Sequence, residues 1–162
     1  SRSRTSSART CVGNATCPAR RMPSLDTRPS AAILPKTVVV IDDEQGQVDV
    51  TAMLLESAGH IVFGSKDSAA GLDWAVKHGA DVLVLDYEMP SMDGAEVGRL
   101  FRRHTATQDI KILMYSGTPE AEIRSSFAGY DGYLAKSVHP LGLIRAVQQM
   151  ADRRRGDVQP RT

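Results

Sequence analysis

The sequence predicts an α/β fold, a doubly wound five-stranded parallel sheet with helices on both faces. Two observations predict it. Short runs of Val, Ile and Leu alternate five times with segments of helical spacing. Strands joined in this way run parallel, with right-handed crossovers that place helices on both sides of the sheet. The uninterrupted apolar character of the runs is that of strands covered on both faces.

The first run, Val38-Val39-Val40-Ile41, ends in Asp42-Asp43-Glu44. Val48, Thr51, Ala52, Leu55 and Ala58 then recur at helical spacing, and Gly59 stops the helix. His60-Ile61-Val62-Phe63 reads as a second strand. Asp67 or Ser68 caps a helix with apolar positions at Ala69, Leu72, Ala75 and Val76, closed by Gly79. Asp81 to Leu85 is the third strand and stops at Asp86. Asp93 caps a third helix carrying Val97, Leu100 and Phe101. Ile110 to Tyr115 is the fourth strand, followed by Ser116-Gly117, and Pro119 suits the first turn of a short helix. Tyr133-Leu134-Ala135 is a small last strand before Lys136, and Pro140 opens a final helix to about Met150.

The 162 residues carry a formal net charge of +1, which gives no global argument for nucleic acid or an anionic membrane as partner. No stretch approaches the roughly 20 apolar residues of a membrane-spanning helix. The average conceals a split: residues 1–36 hold seven cations and one acid, whereas residues 37–162 hold 13 cations and 18 acids. The first segment has no aromatic residue and is rich in Ser, Thr, Pro and Arg, so it is read as a disordered basic tail. Its composition is also that of an organellar transit peptide, but a flexible tail, a cloning remnant or a start upstream of Met22 accounts for it more simply. Cys11 and Cys17 lie in it without a His or a second Cys pair at zinc spacing, so no metal site is expected there. The domain is expected over 37–152, with a short basic tail over 153–162.

In such sheets ligands bind beyond the carboxyl ends of the strands. Here those ends carry Asp42 and Asp43, Asp86, Ser116 and Lys136. Carboxylates crowded together repel unless a cation joins them. Hard oxygen ligands suit Mg²⁺, and a carboxylate beside that ion can attack a phosphoryl group. Lys136 and the Ser116 hydroxyl would hold the remaining phosphoryl oxygens.

Four motifs, Val-Val-Val-Ile-Asp-Asp-Glu, Leu-Val-Leu-Asp-Tyr-Glu-Met-Pro-Ser-Met-Asp-Gly, Met-Tyr-Ser-Gly and Gly-Tyr-Leu-Ala-Lys, occur in this order. From Asp43 to Asp86 is 43 residues, from Asp86 to Ser116 is 30, and from Ser116 to Lys136 is 20. Over residues 37–152 the chain resembles the response-regulator receiver domains of two-component signalling, which are flavodoxin-like in fold. The resemblance implies that Asp86 is the phospho-acceptor and that Asp42, Asp43, Asp86 and the main-chain carbonyl of Glu88 hold Mg²⁺, Asp43 directly. It implies Ser116 as the switch hydroxyl, Tyr133 as the switch aromatic and Lys136 as the phosphate-binding lysine. It further implies a histidine kinase or histidine phosphotransfer protein as donor, an unidentified downstream protein target, a cytoplasmic location, and signalling rather than metabolic catalysis beyond self-catalysed transfer and hydrolysis. No output domain follows in this sequence, so a stand-alone receiver is expected.

Three departures from the family pattern stand out. Ser137 follows Lys136 where proline is usual, which favours a trans bond. The interval from Ser116 to Lys136 is about two residues short, which trims the fourth helix. Glu88 places an acid at the rim of the site. The altered loop and short helix slightly favour a rival reading, a receiver-like adaptor that docks without phosphate, whereas the intact set of Asp42, Asp43, Asp86, Ser116 and Lys136 favours phospho-acceptance. A haloacid-dehalogenase-type phosphatase would need Asp-x-Asp after its first strand, whereas this chain has Asp-Tyr-Glu after the third. There is no P-loop, because Gly64-Ser65-Lys66 lacks the preceding glycine. The four histidines are expected at the surface, Trp74 in packing, and Arg153 to Arg155 at a solvated helix end.

Overall fold

The computed structural model describes residues 34–90 and 92–153. Residues 1–33 of the tail expected over 1–36, including its two cysteines, and residues 154–162 lie outside the described residues. Ten elements alternate: β1 (Thr37–Ile41), α1 (Gln45–Ser57), β2 (Ile61–Ser65), α2 (Ser68–His78), β3 (Val82–Leu85), α3 (Gly94–Arg103), β4 (Lys111–Ser116), α4 (Glu120–Ser126), β5 (Gly132–Ala135) and α5 (Pro140–Asp152). The five strands form one parallel sheet in the order β2-β1-β3-β4-β5.

The period-two alternation of each strand divides the core between the faces. Val39, Ile41, Leu83, Leu85, Ile112 and Met114 pack with Ala75, Ala95, Val97, Phe101 and Ile123, on the side of α2, α3 and α4. Val38, Val40, Val82, Val84 and Leu113 pack with Leu55 of α1 and Leu143, Val147 and Met150 of α5. Local signals set the helix boundaries. The Asp67 and Asp93 carboxylates accept from the Ala69 and Glu96 N–H groups, the His139 Nδ1 accepts from the Leu141 N–H, and left-handed Gly79 ends α2.

Several expectations differ from what the fold shows. Val76 and Leu100 sit at apolar spacing yet are exposed, because α2 and α3 turn Ala75 and Val97 to the sheet instead. His60 is not at the surface. It is 5% exposed, and its Nδ1 accepts from the Lys36 N–H, since the chain entering β1 crosses beside it. Burial and then the Lys36 charge hold its pKa below 6.5. Lys36, read with the tail on composition, belongs to the fold through its 2.8 Å ion pair with Asp152. Trp74 packs, stacking on Phe63 with ring centroids 5.2 Å apart. The short α4 is anchored by fully buried Ile123 and nearly buried Phe127.

Candidate functional site

Strand register brings the end residues together. Ile41 pairs with Leu85, and the Asp86 N–H donates to the Ile41 carbonyl, so Asp42 and Asp86 follow side by side. Ser116 pairs with Ala135, and the Lys136 N–H donates to the Ser116 carbonyl, which starts the Lys136 side chain at the same edge. The Lys136 Nζ lies 2.8 Å from Asp42 Oδ2 and 3.0 Å from Asp86 Oδ2. Asp42 Oδ1 accepts from the Glu44 N–H at 3.0 Å, and Asp86 Oδ1 from the Tyr87 N–H at 2.8 Å.

Asp42, Asp43 and Asp86 each offer an oxygen, all within 4.8 Å of one another. Asp42 and Asp86 are buried and Asp43 is the most open. Such a group of carboxylates is stabilised only by positive charge, and Lys136 supplies it. Burial works against that ammonium, but its hydrogen bonds to Asp42 and Asp86 and their charges outweigh burial and raise its pKa above 10.5. The donors are all hard oxygens, with no sulfur or imidazole among them, and this set fits Mg²⁺.

Ser116 is fully buried, and its Oγ accepts from the Thr118 N–H at 3.2 Å. The Tyr133 hydroxyl donates to the Thr118 carbonyl at 2.9 Å. The Glu88 carboxylate, at the rim as expected, accepts from the Thr118 hydroxyl. Thr118 therefore joins three of the residues that the sequence singled out, and sequence reasoning missed it. The only signal was a hydroxyl residue two places after Ser116, and its partner is 30 residues away. Tyr115 was also missed. Burial raises its pKa above 10.0, with the Lys136 charge pulling it down and Asp42 up. No peptide bond among the described residues is cis, so the Lys136–Ser137 bond is trans, as Ser137 led us to expect.

Residues 38–148 match the family model described as response regulator receiver domain. This chain belongs to that family. A receiver is the phospho-accepting signalling part of a two-component response regulator, not a classical enzyme. The chain is 32% identical over 121 residues to the DNA-binding dual master transcriptional regulator RpaA of Synechocystis, a match covering 72% of this chain and 50% of that protein. It spans about half the length of the first curated relatives it matches. Among solved structures, the Vibrio cholerae chemotaxis protein CheY4 superposes with a TM-score of 0.67 at 26% identity, covering 72% of this chain and 99% of that one. The receiver domain of the Pseudomonas aeruginosa sensor histidine kinase PA1611 superposes with a TM-score of 0.65 at 22% identity, covering 73% and 98%. That structure is described with a magnesium ion coordinated in its active-site cleft. Among the described residues of this receiver, no helix is long and apolar enough to cross a membrane.

Proposed function

We propose that this receiver takes a phosphoryl group from a phosphohistidine onto Asp86 and thereby switches a partner-binding face. The observation that carries this is the Lys136 ammonium bridging Asp42 and Asp86, with Asp43 alongside. One Asp86 carboxylate oxygen attacks phosphorus in line, forming an O–P bond as the P–N bond to the donor imidazole breaks. The imidazole leaves with the electron pair and takes up a proton. The phosphoryl group carries its charge on three equatorial oxygens. Lys136 is placed to follow that charge, since its Nζ already lies 3.0 Å from Asp86 Oδ2. The buried Ser116 hydroxyl offers a neutral donor at the adjoining strand end. Asp42, Asp43 and Asp86, with the Glu88 main-chain carbonyl, would hold Mg²⁺, which supplies charge neutralisation when bound.

A histidine kinase or histidine phosphotransfer protein is the donor in this reading, and the downstream target is a protein rather than nucleic acid. A cytoplasmic setting goes with it. A second reading, the adaptor that docks without phosphate, draws on Ser137 in place of proline after Lys136 and on the seven-residue α4. Intact mass after incubation with acetyl phosphate and Mg²⁺ separates the two. The proposal expects one added phosphoryl group on the wild type and none on Asp86→Asn. An Asp86→Asn variant that gained phosphate as fast as wild type would overturn it.

A further inference from the structure

Seven residues are too few to make a helix that is stable without help. The ends of α4 therefore lie where other elements hold them, and two of the holds come from the loop that begins at Asp86. At the entry, the Glu88 carboxylate accepts from the hydroxyl of Thr118, which is 4% exposed and lies two residues before Glu120. At the exit, the Tyr87 hydroxyl lies 3.0 Å from the Oγ of Ser126, the last residue of α4. Between them, Ile123 fixes the middle of the helix in the core. The Arg99 guanidinium also reaches the Ser126 carbonyl, from α3 rather than from the acceptor loop.

Tyr87 is tied to the acceptor as well as to α4. Its N–H donates to Asp86 Oδ1 at 2.8 Å. A free carboxylate oxygen is a strong, charged acceptor, and conversion of the carboxylate to an acyl phosphate weakens it. The bond that orients the Tyr87 backbone thus depends on the chemical state of Asp86, and the Tyr87 ring carries that orientation to Ser126. Glu88 is one residue further along the same loop. It is exposed, so solvent can compete for its bond to Thr118.

We propose that Tyr87 and Glu88 form a two-point clasp on α4, holding its exit through Ser126 and its entry through Thr118. The clasp transmits the state of the acceptor loop to α4 directly, alongside the path from Ser116 to Tyr133. Tyr87 and Glu88 are positioning residues in this scheme. The transmission rests on phosphorylation at Asp86, whereas the clasp itself is a property of the resting protein, so the two can fail separately.

Amide hydrogen exchange on the full chain tests both. In the resting state, Tyr87→Phe and Ser126→Ala each raise exchange over residues 124–128 by about two- to tenfold, leaving 117–121 unchanged. The double variant does no more than either single one, because both remove the same bond. Thr118→Val and Glu88→Ala do the converse, raising exchange over 117–121 only. Glu88→Ala is at the surface and serves if the buried Thr118→Val variant does not fold. With Mg²⁺ and beryllofluoride as phosphoryl mimic, wild type changes exchange at both ends of α4. Tyr87→Phe loses the change at the exit while still gaining phosphate on Asp86 by intact mass.

Resting profiles identical to wild type overturn the clasp. So does a Tyr87→Phe variant that keeps the full beryllofluoride response, which would make the bond a structural detail only. A wild type that takes neither phosphate nor the mimic overturns the phospho-acceptor reading and the transmission with it, while the resting profiles still decide whether the clasp exists.

Discussion

Gly94 opens α3 where that helix passes against the Asp86 backbone, and replacing it with Ala should damage both stability and the proposed function. A Cβ at Gly94 would overlap the Asp86 carbonyl oxygen outright and stand 2.8 Å from Tyr87 Cα and 3.0 Å from the Asp86 carbonyl carbon. Ordinary carbon contacts lie near 3.5–4.0 Å. All three obstacles are main chain, so no rotamer change can relieve them. The Gly94 N–H also donates to the Tyr87 carbonyl at 3.0 Å, which opposes withdrawal of the helix. Overpacked sites commonly cost about 1–3 kcal/mol, and rigid backbone on both sides places this one at or above about 3 kcal/mol. For a domain of this size that lowers Tm by roughly 10 °C. Any relaxation moves Asp86, the proposed acceptor, so transfer from acetyl phosphate should fall by about tenfold or more. Gly46, with nothing within 4 Å of its Cβ position, is the control. As a helical glycine its Ala variant should gain up to about 1 kcal/mol. Thermal melts and phosphorylation rates of the two variants settle the matter. A Gly94→Ala protein that melts and reacts like wild type would refute a rigid approach of α3 to the site.

Lys136→Met leaves Asp42, Asp43 and Asp86 without their ammonium. Unfolding at neutral pH without Mg²⁺ should show a loss of about 1–3 kcal/mol; a variant as stable as wild type would contradict the repulsion argument. His60 titrates below 6.5 in the fold, so the unfolded chain binds its proton first, and stability is full above 6.5 and declines as the pH drops toward the folded value. His60→Asn keeps an acceptor for the Lys36 N–H and should flatten that decline in denaturant midpoints; an unchanged slope would assign it to other groups. Arg102 bonds the Gly129, Gln108 and Ile110 carbonyls and the Asp131 carboxylate, tying the loop before β5 to α3. Arg102→Ala should cost about 2–4 kcal/mol in chemical denaturation, and Arg102→Lys should recover only a minor part, since an ammonium cannot span those acceptors.

The sheet was legible because its cause is local. Val38 to Ile41 and Val82 to Leu85 are apolar on both faces, and only a strand between two helix layers needs that. The strand-end cluster was legible for the same reason, since a parallel sheet delivers each strand's next residue to one edge. What escaped was set by contacts between distant segments. Phe127 is buried because Gly98 and Gly129 leave it a slot: a Cβ on either would come within 2.5 Å of its ring. Neither glycine announces this in sequence. His60 looked like a surface histidine because nothing local shows that Lys36 crosses it. Thr118 and Ser126 are ordinary loop and helix-end residues until Glu88 and Tyr87 reach them, 30 and 39 positions away.

Charge at the strand ends carries the argument one step further. Three carboxylates face one ammonium, and the exposed Glu88 adds a fourth acid at the rim. Adding a phosphoryl group to Asp86 increases the negative charge of that edge rather than relieving it. Lys136 cannot balance this alone, because its Nζ is already divided between Asp42 and Asp86. In the proposed reading Asp42, Asp43 and Asp86 would hold a divalent cation, whose charge would let Asp86 gain a phosphoryl group without disrupting the cluster. Lys136 would then be able to turn from Asp42 toward the phosphoryl oxygens. The same imbalance makes the cluster depend on Lys136, so in this reading the lysine that holds the carboxylates together would also be the group redirected on phosphorylation. That coupling requires no long path. The Lys136 N–H is bonded to the Ser116 carbonyl, and the Ser116 hydroxyl to the Thr118 N–H, so such a redirection would begin at the loop that α4 and Tyr133 share.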